Sequence, residues 1–427
     1  MFLHRFVSST VAFGATLGLI LSACGGDSPD GGNDNTPGGY GTAGTTSSGG
    51  STSNGGSHAT AGSTSHAGTS NSASGSSGTN QAGNGGSTQA GGTGQGGTTG
   101  QGARGGNANA GSTNGGTASA GAGGGINVPG CVAPVNPNAT KQAKNLLCYL
   151  YSQYGNHVIS GQQETSWDNP AGDISWYTTN GMKAPAILGG DFLYPNGTTD
   201  RAIAYWKAGG IPMIRYHMGA PGTSDTYENS KGSANLDNTL KAGTTENNSF
   251  KSKLDYAATE LKKLQDQNVP VLWAPFHEVQ ANGWFWWAKG SGPQFVALWK
   301  YTYDYLTKTR GLNNLVWLMP FSGTPSAAYS PGKEYYDICG PDTYDENQPF
   351  TALFNTSKGI VGGATPIPLH ETGRIPTPSA MFPNAPWVLF NVWATYQFDG
   401  THNTTANIKS VYADSHTVTR DEVPNLN

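Results

Sequence analysis

Between Gly25 and Gly125 the 427-residue chain has no Val, Leu, Ile, Met, Phe or Trp, and Tyr40 is the only aromatic there. A segment without apolar side chains cannot bury enough surface to offset the entropy of ordering it. Residues 25–127 are therefore expected to be a disordered Gly/Ser/Thr-rich linker, with a reach of roughly 50–60 Å. The glycines generate a G-x-G-x-x-G match from Gly92 to Gly97, but no strand pattern precedes it and no helix pattern follows. It carries no dinucleotide site. Charge is also scarce, at 12% of residues and a net −4, and no basic stripe is present, which argues against a nucleic-acid partner. Two His-Glu pairs, His277-Glu278 and His370-Glu371, lack the second His of the zinc motif H-E-x-x-H, because Ala281 and Arg374 stand in its place. No other cluster has metal-ligand spacing, so neither a metal nor a cofactor is expected.

What is present divides into two further parts. Residues 1–24 carry His4 and Arg5, an apolar stretch from Phe6 to Ile20, and then Leu21-Ser22-Ala23-Cys24. The apolar stretch is short for a membrane span and reads as a secretory signal. Its ending resembles the lipobox of bacterial lipoproteins, which implies cleavage before Cys24 and a lipid anchor on its sulfur. The expected location is then the bacterial cell envelope, lipid-anchored to the membrane and exposed at the surface. Residues 128–427 hold all eleven Trp, from Trp167 to Trp393, and suit one large domain, read as a monomer. In an oxidising compartment Cys131 and Cys148 are a plausible disulfide, leaving Cys339 as a buried thiol.

Eight strand-like runs recur through this part: residues 157–162, 184–192, 210–218, 269–278, 315–321, 336–344, 367–373 and 387–393. Helical periodicity lies between several, most clearly from Phe250 to Gln267 and from Pro293 to a C-terminal Gly311. The alternation predicts an α/β fold, a (β/α)8 TIM barrel of parallel strands. Glu278 then ends strand 4 and Glu371 ends strand 7, so both carboxylates face the mouth where such barrels keep their active sites. His217, Tyr344 and Trp393 end strands 3, 6 and 8 at the same mouth. Paired carboxylates among aromatics suit glycosidic-bond hydrolysis, because rings stack on sugar faces.

The segment FHEVQANGWFWWAKGSGPQFVALWKYTYDYL, with RYHMGAP, DICGPDTY, PLHETGRIP and VYADSHTVTRDEVP, resembles glycoside hydrolase family 26 over most of residues 150–425. The resemblance implies a retaining enzyme of a group dominated by endo-β-1,4-mannanases. It implies Glu278 as acid/base and Glu371 as nucleophile. It further implies sugar contacts from His217 and His277, Tyr344 orienting the nucleophile, and hydrophobic walls from Trp284 and Trp393. One departure is the spacing of six from Glu278 to Trp284, where about five is usual in the family; this puts the substrate in doubt more than the mechanism. The expected partner is a β-mannan, galactomannan or glucomannan. The alternatives are the same chemistry on β-1,3-xylan or mixed-linkage β-glucan, a carbohydrate-binding protein without catalysis, and an adhesin in which the linker is the working part.

Overall fold

The computed structural model describes residues 130–164, 170–193, 197–393 and 400–427. The expected signal, Cys24 and the expected linker lie outside the described residues. Eight parallel staves close into a barrel: Gly161–Gln163 (β1), Ile187–Asp191 (β2), Ile211–Tyr216 (β3), Val271–Pro275 (β4), Leu315–Pro320 (β5), Ile338–Gly340 continued by Asp342–Thr343 (β6), Leu369–Thr372 (β7) and Phe390–Val392 (β8). Closure comes from Val392 of β8 pairing with Gln162 of β1. The stave residues are buried throughout, as expected for parallel strands covered by helices outside and packed side chains inside.

The two pieces of β6 meet at Pro341, whose nitrogen has no hydrogen to give the ladder. The first piece pairs with β5 and the second with β7. The Pro341 carbonyl still accepts from the His370 N–H at 3.1 Å, so the stave continues. At the junction, a Cβ on Gly340 would come within 1.8 Å of the Pro368 carbonyl oxygen, so only glycine fits.

The run 157–162, read from sequence as one strand, is split. Val158–Ile159 pairs instead with Thr417–Val418 of the C-terminal tail. Ser160 makes the break: its N–H and hydroxyl both donate to the Val418 carbonyl, and its Oγ accepts from the Ala186 N–H. The barrel strand starts only at Gly161.

The helix Thr245–Asp266 begins five residues before Phe250, because the Thr244 hydroxyl caps it by accepting from the Asn247 N–H. Its buried face includes Leu254, Ala257, Ala258 and Leu261, the predicted stripe. The helix Gly292–Asp304 starts with a Ser291/Gln294 capping box. It runs into one π-turn at Tyr305–Thr309 and stops before Gly311, whose φ of +66° suits glycine. Cys131 and Cys148 are joined by a disulfide that ties the lead into the domain to the helix Lys141–Gln153, and Cys339 is buried and free. Among the described residues no helix is long and apolar enough to cross a membrane.

Candidate active site

The chain leaves β4 through two left-handed residues, Phe276 at φ +58° and Glu278 at φ +55°. A phenylalanine and a glutamate rarely adopt this conformation, and such strain is found where side chains must be aimed. Here it delivers His277 and Glu278 into the barrel mouth. Glu371 comes from β7, in register with Asp342 on β6. One oxygen each of Glu278, Asp342 and Glu371, together with a His277 ring nitrogen, all lie within 4.8 Å of one another and are buried.

Each group is held by named partners. Glu371 accepts from the Arg215 guanidinium through Oε2 and from the Tyr344 hydroxyl through Oε1, both at very close range. Arg215 also donates to the His370 carbonyl at 3.1 Å. His277 Nε2 stands 3.5 Å from Glu371 Oε2 and 3.8 Å from Glu278 Oε1. Glu278 Oε2 accepts from the Trp284 indole N–H at 2.6 Å. His217 bonds through Nδ1 to the Asp191 carboxylate at the end of β2, and its ring centroid lies 5.0 Å from that of His277.

The electrostatics separate the carboxyls. Burial alone would push the Glu371 carboxyl up, but His277, Arg215 and the Tyr344 hydroxyl outweigh it and hold it well below the usual range. His277 is itself pushed down by burial, so it is neutral near neutrality. The permanent charge facing Glu371 is therefore Arg215. Asp342 moves the other way: burial, with Glu278 and Glu371 beside it, raises it well above an ordinary aspartate. At neutral pH Glu371 is ionised, while Asp342 is shifted toward its protonated form.

The sequence-predicted residues fall together here. Glu278, Glu371, His217, His277, Tyr344 and Trp284 form one constellation, and Trp393 sits half-buried at the end of β8, where its backbone N–H donates to the Thr372 carbonyl. The aromatic run after Glu278 divides between the site and the core. Phe285, Trp286 and Trp287 are fully buried core residues, and only Trp284 is half-exposed. The Trp286 and Trp287 indoles donate to the Met218 and His277 carbonyls at 3.0 and 2.8 Å, bracing the strand ends.

Three residues escaped the sequence reading: Arg215, Asp191 and Asp342. Each is a charged residue inside or at the end of a buried strand, and that was the available signal. The His277, Glu278, Asp342 and Glu371 set is compact enough to hold a cation. Arg215 and the Trp284 N–H already supply positive potential to it, and two carboxyls so placed perform acid/base and nucleophilic chemistry without a metal.

Residues 135–422 match the model of glycosyl hydrolase family 26. Mannan endo-1,4-beta-mannosidase B of Piromyces sp. is 31% identical over 314 residues, 69% of this chain and 54% of that protein. The mannan endo-1,4-beta-mannosidase of Thermothelomyces thermophilus is 31% identical, over 67% of this chain and 62% of that one. The chain thus spans between about half and two thirds of the length of these relatives. Among solved structures, a ruminal GH26 endo-beta-1,4-mannanase aligns with a TM-score of 0.64 at 28% identity, covering 68% of this chain and 70% of that one. The beta-mannanase from a symbiotic protist of the termite Reticulitermes speratus, complexed with gluco-manno-oligosaccharide, aligns with a TM-score of 0.62 at 29% identity, over 70% and 98% of the two chains. With its barrel, its paired glutamates and a family match running across nearly the whole described domain, the chain belongs to glycosyl hydrolase family 26.

Proposed function

We propose that the protein is a retaining endo-β-1,4-mannanase, with Glu371 as nucleophile and Glu278 as acid/base. The observation that carries this is the separation of the two carboxyls, with oxygens within 4.8 Å. Retaining enzymes need about 5 to 5.5 Å, whereas inverting ones need about 6.5 to 9.5 Å to admit a water. The mannanase names of the relatives support the substrate, and the gluco-manno-oligosaccharide bound to the protist enzyme supports β-mannan or glucomannan over xylan.

In the first step Glu371 attacks the anomeric carbon while Glu278 protonates the departing glycosidic oxygen. Arg215 and Tyr344 keep Glu371 ionised and fix its two oxygens, so the attack starts from an oriented carboxylate. Once the sugar is bonded to Glu371, that charge is gone. Glu278 is now ionised and takes a proton from the incoming water, which releases the sugar with its original configuration. His217 and His277 are read as hydroxyl partners in the cleavage subsite, and Trp284 and Trp393 as its walls.

Reducing-sugar release from mannan, β-1,3-xylan and mixed-linkage β-glucan, assayed in parallel, tests the substrate. Mannan should be cleaved fastest, with a rapid fall in viscosity from internal cuts. Faster release from xylan or glucan would move the substrate. Binding without release from any of the three would make this a carbohydrate-binding protein.

The same reading keeps a lipid on Cys24 as the anchor to the cell envelope. Cys24→Ser should then move the protein from the membrane fraction to the soluble export fraction with its hydrolytic activity intact. Unchanged membrane association would end that part of the proposal.

A further inference from the structure

Three indoles follow Glu278 in close succession, and they use their N–H groups differently. Those of Trp286 and Trp287 are fully buried and donate to backbone carbonyls, as a buried N–H must. Trp284 is half-exposed, so water could satisfy its N–H, yet it donates to Glu278 Oε2 at 2.6 Å. The connecting loop holds it there. Val279 pairs with Phe321, the Gln280 amide oxygen accepts from the Ser322 and Thr324 hydroxyls, and a Cβ on Gly283 would meet the Ala288 methyl at 2.7 Å.

An indole N–H is a donor only. The carboxyl oxygen it bonds cannot also point a proton at it. When Glu278 is protonated, the N–H favours the carbonyl oxygen, the stronger acceptor, at Oε2, and so leaves Oε1 to carry the hydrogen. Oε1 is the oxygen near His277 Nε2, on the side of the Glu371 carboxylate. From this geometry we infer that Trp284, beyond any wall it forms for the sugar, is a positioning residue of the acid/base: its N–H selects Oε1 as the oxygen that gives and takes the proton, and favours the ionised carboxylate needed in the second step.

This inference rests on Glu278 being the acid/base. In the first step the Oε1–H bond breaks, the leaving oxygen gains that proton, and the C1–O electron pair departs with it. In the second step Oε1 takes a proton from water. The N–H bond to Oε2 persists through both. The charged and titratable groups facing Glu278 are His277 from its own strand end, Asp342 from β6 and Glu371 from β7, with Arg215 of β3 behind Glu371. All of these remain when Trp284 is changed.

The test compares Trp284→Phe, which keeps a ring wall and removes the donor, with Glu278→Ala. The expected result for Trp284→Phe is an alkaline limb of kcat/KM moved up by about one pH unit, as befits the loss of a charge-assisted bond at a half-exposed site. KM for manno-oligosaccharides should stay within about twofold, and turnover of aryl mannosides with good leaving groups should fall because deglycosylation becomes limiting. An unmoved alkaline limb with a raised KM would overturn the inference and leave Trp284 as a wall only. If Glu278→Ala itself keeps hydrolysing mannan, the acid/base reading fails instead, so the two failures are distinct. A second measurement needs no change at Trp284. In the full chain labelled with 15N-tryptophan, one indole N–H resonance should titrate with pH and stop titrating in Glu278→Gln; if no indole resonance behaves so, the inference falls.

Discussion

Arg215 and Glu371 form an ion pair in the barrel interior, the guanidinium reaching from β3 to the carboxylate on β7, with both side chains almost completely shielded from water. A buried pair is worth little compared with apolar packing, but removing one member strands the other charge. The pair is better understood as setting the nucleophile's charge and aim than as a source of stability.

Arg215→Met removes that charge at similar length. The sign follows from Glu371 being held below its usual range. Such a group stabilises the fold above its unfolded-state pKa, and that contribution is lost as pH falls through the lower folded value. Without Arg215 the folded value rises. The acidic limb of kcat/KM should move upward, kcat should fall by about a hundredfold or more, and stability near neutrality should drop by about 3 kcal/mol. The stability loss should be smaller at acid pH, where Glu371 takes up a proton. Denaturant melts and pH–rate profiles read both, and an acidic limb that stays in place would contradict the assignment.

The two glutamates should fail differently. Glu371→Ala should lose several orders of magnitude on every substrate, and azide entering the vacated space should give an inverted product. Glu278→Ala should retain far more activity on aryl glycosides with good leaving groups than on mannan. A glycosyl-enzyme should then accumulate, visible as a mass increase on Glu371. The opposite pattern would mean the roles are exchanged.

How much of this was legible in the sequence depends on what kind of signal each residue leaves. The eight staves were readable because parallel strands buried on both faces are apolar runs with Gly or Pro at their ends. Glu278 and Glu371 stood out as carboxylates closing such runs. Arg215 did not, since one charge within PMIRYHM looks like a break in the pattern until Glu371, 156 residues away, is seen to meet it. Asp342 was hidden in the same way in GPDTY. Of the run from Trp284 to Trp287 only Trp284 had been assigned to the sugar site, and the burial of Phe285, Trp286 and Trp287 was out of reach, because an aromatic cluster looks alike whether it packs against sugar or against the core. The split at Ser160 was also out of reach, as it depends on a carbonyl of Val418.

Away from the site, Asp337 accepts from the Val135 and Trp317 N–H groups, and burial pushes it up to about 7. A carboxyl raised above its unfolded value of 3.8 leaves stability full below that value and erodes it as pH rises through about 7. The wild-type Tm should therefore fall between about pH 4 and pH 7. Asp337→Asn should lower Tm overall, since its amide would face an N–H donor, but should flatten that slope. Thermal melts across the range check it, and an equal slope in both proteins would show that Asp337 is not the titrating group.

The central claim is that two carboxyls this close perform two displacements. It is tested most directly by following mannohexaose hydrolysis by 1H NMR and integrating the anomeric protons before mutarotation. The account predicts that the β-anomer of the new reducing end appears first and the α-anomer grows in only later. Initial release of the α-anomer would mean a single inverting displacement, and the assignment of Glu371 as nucleophile would be wrong.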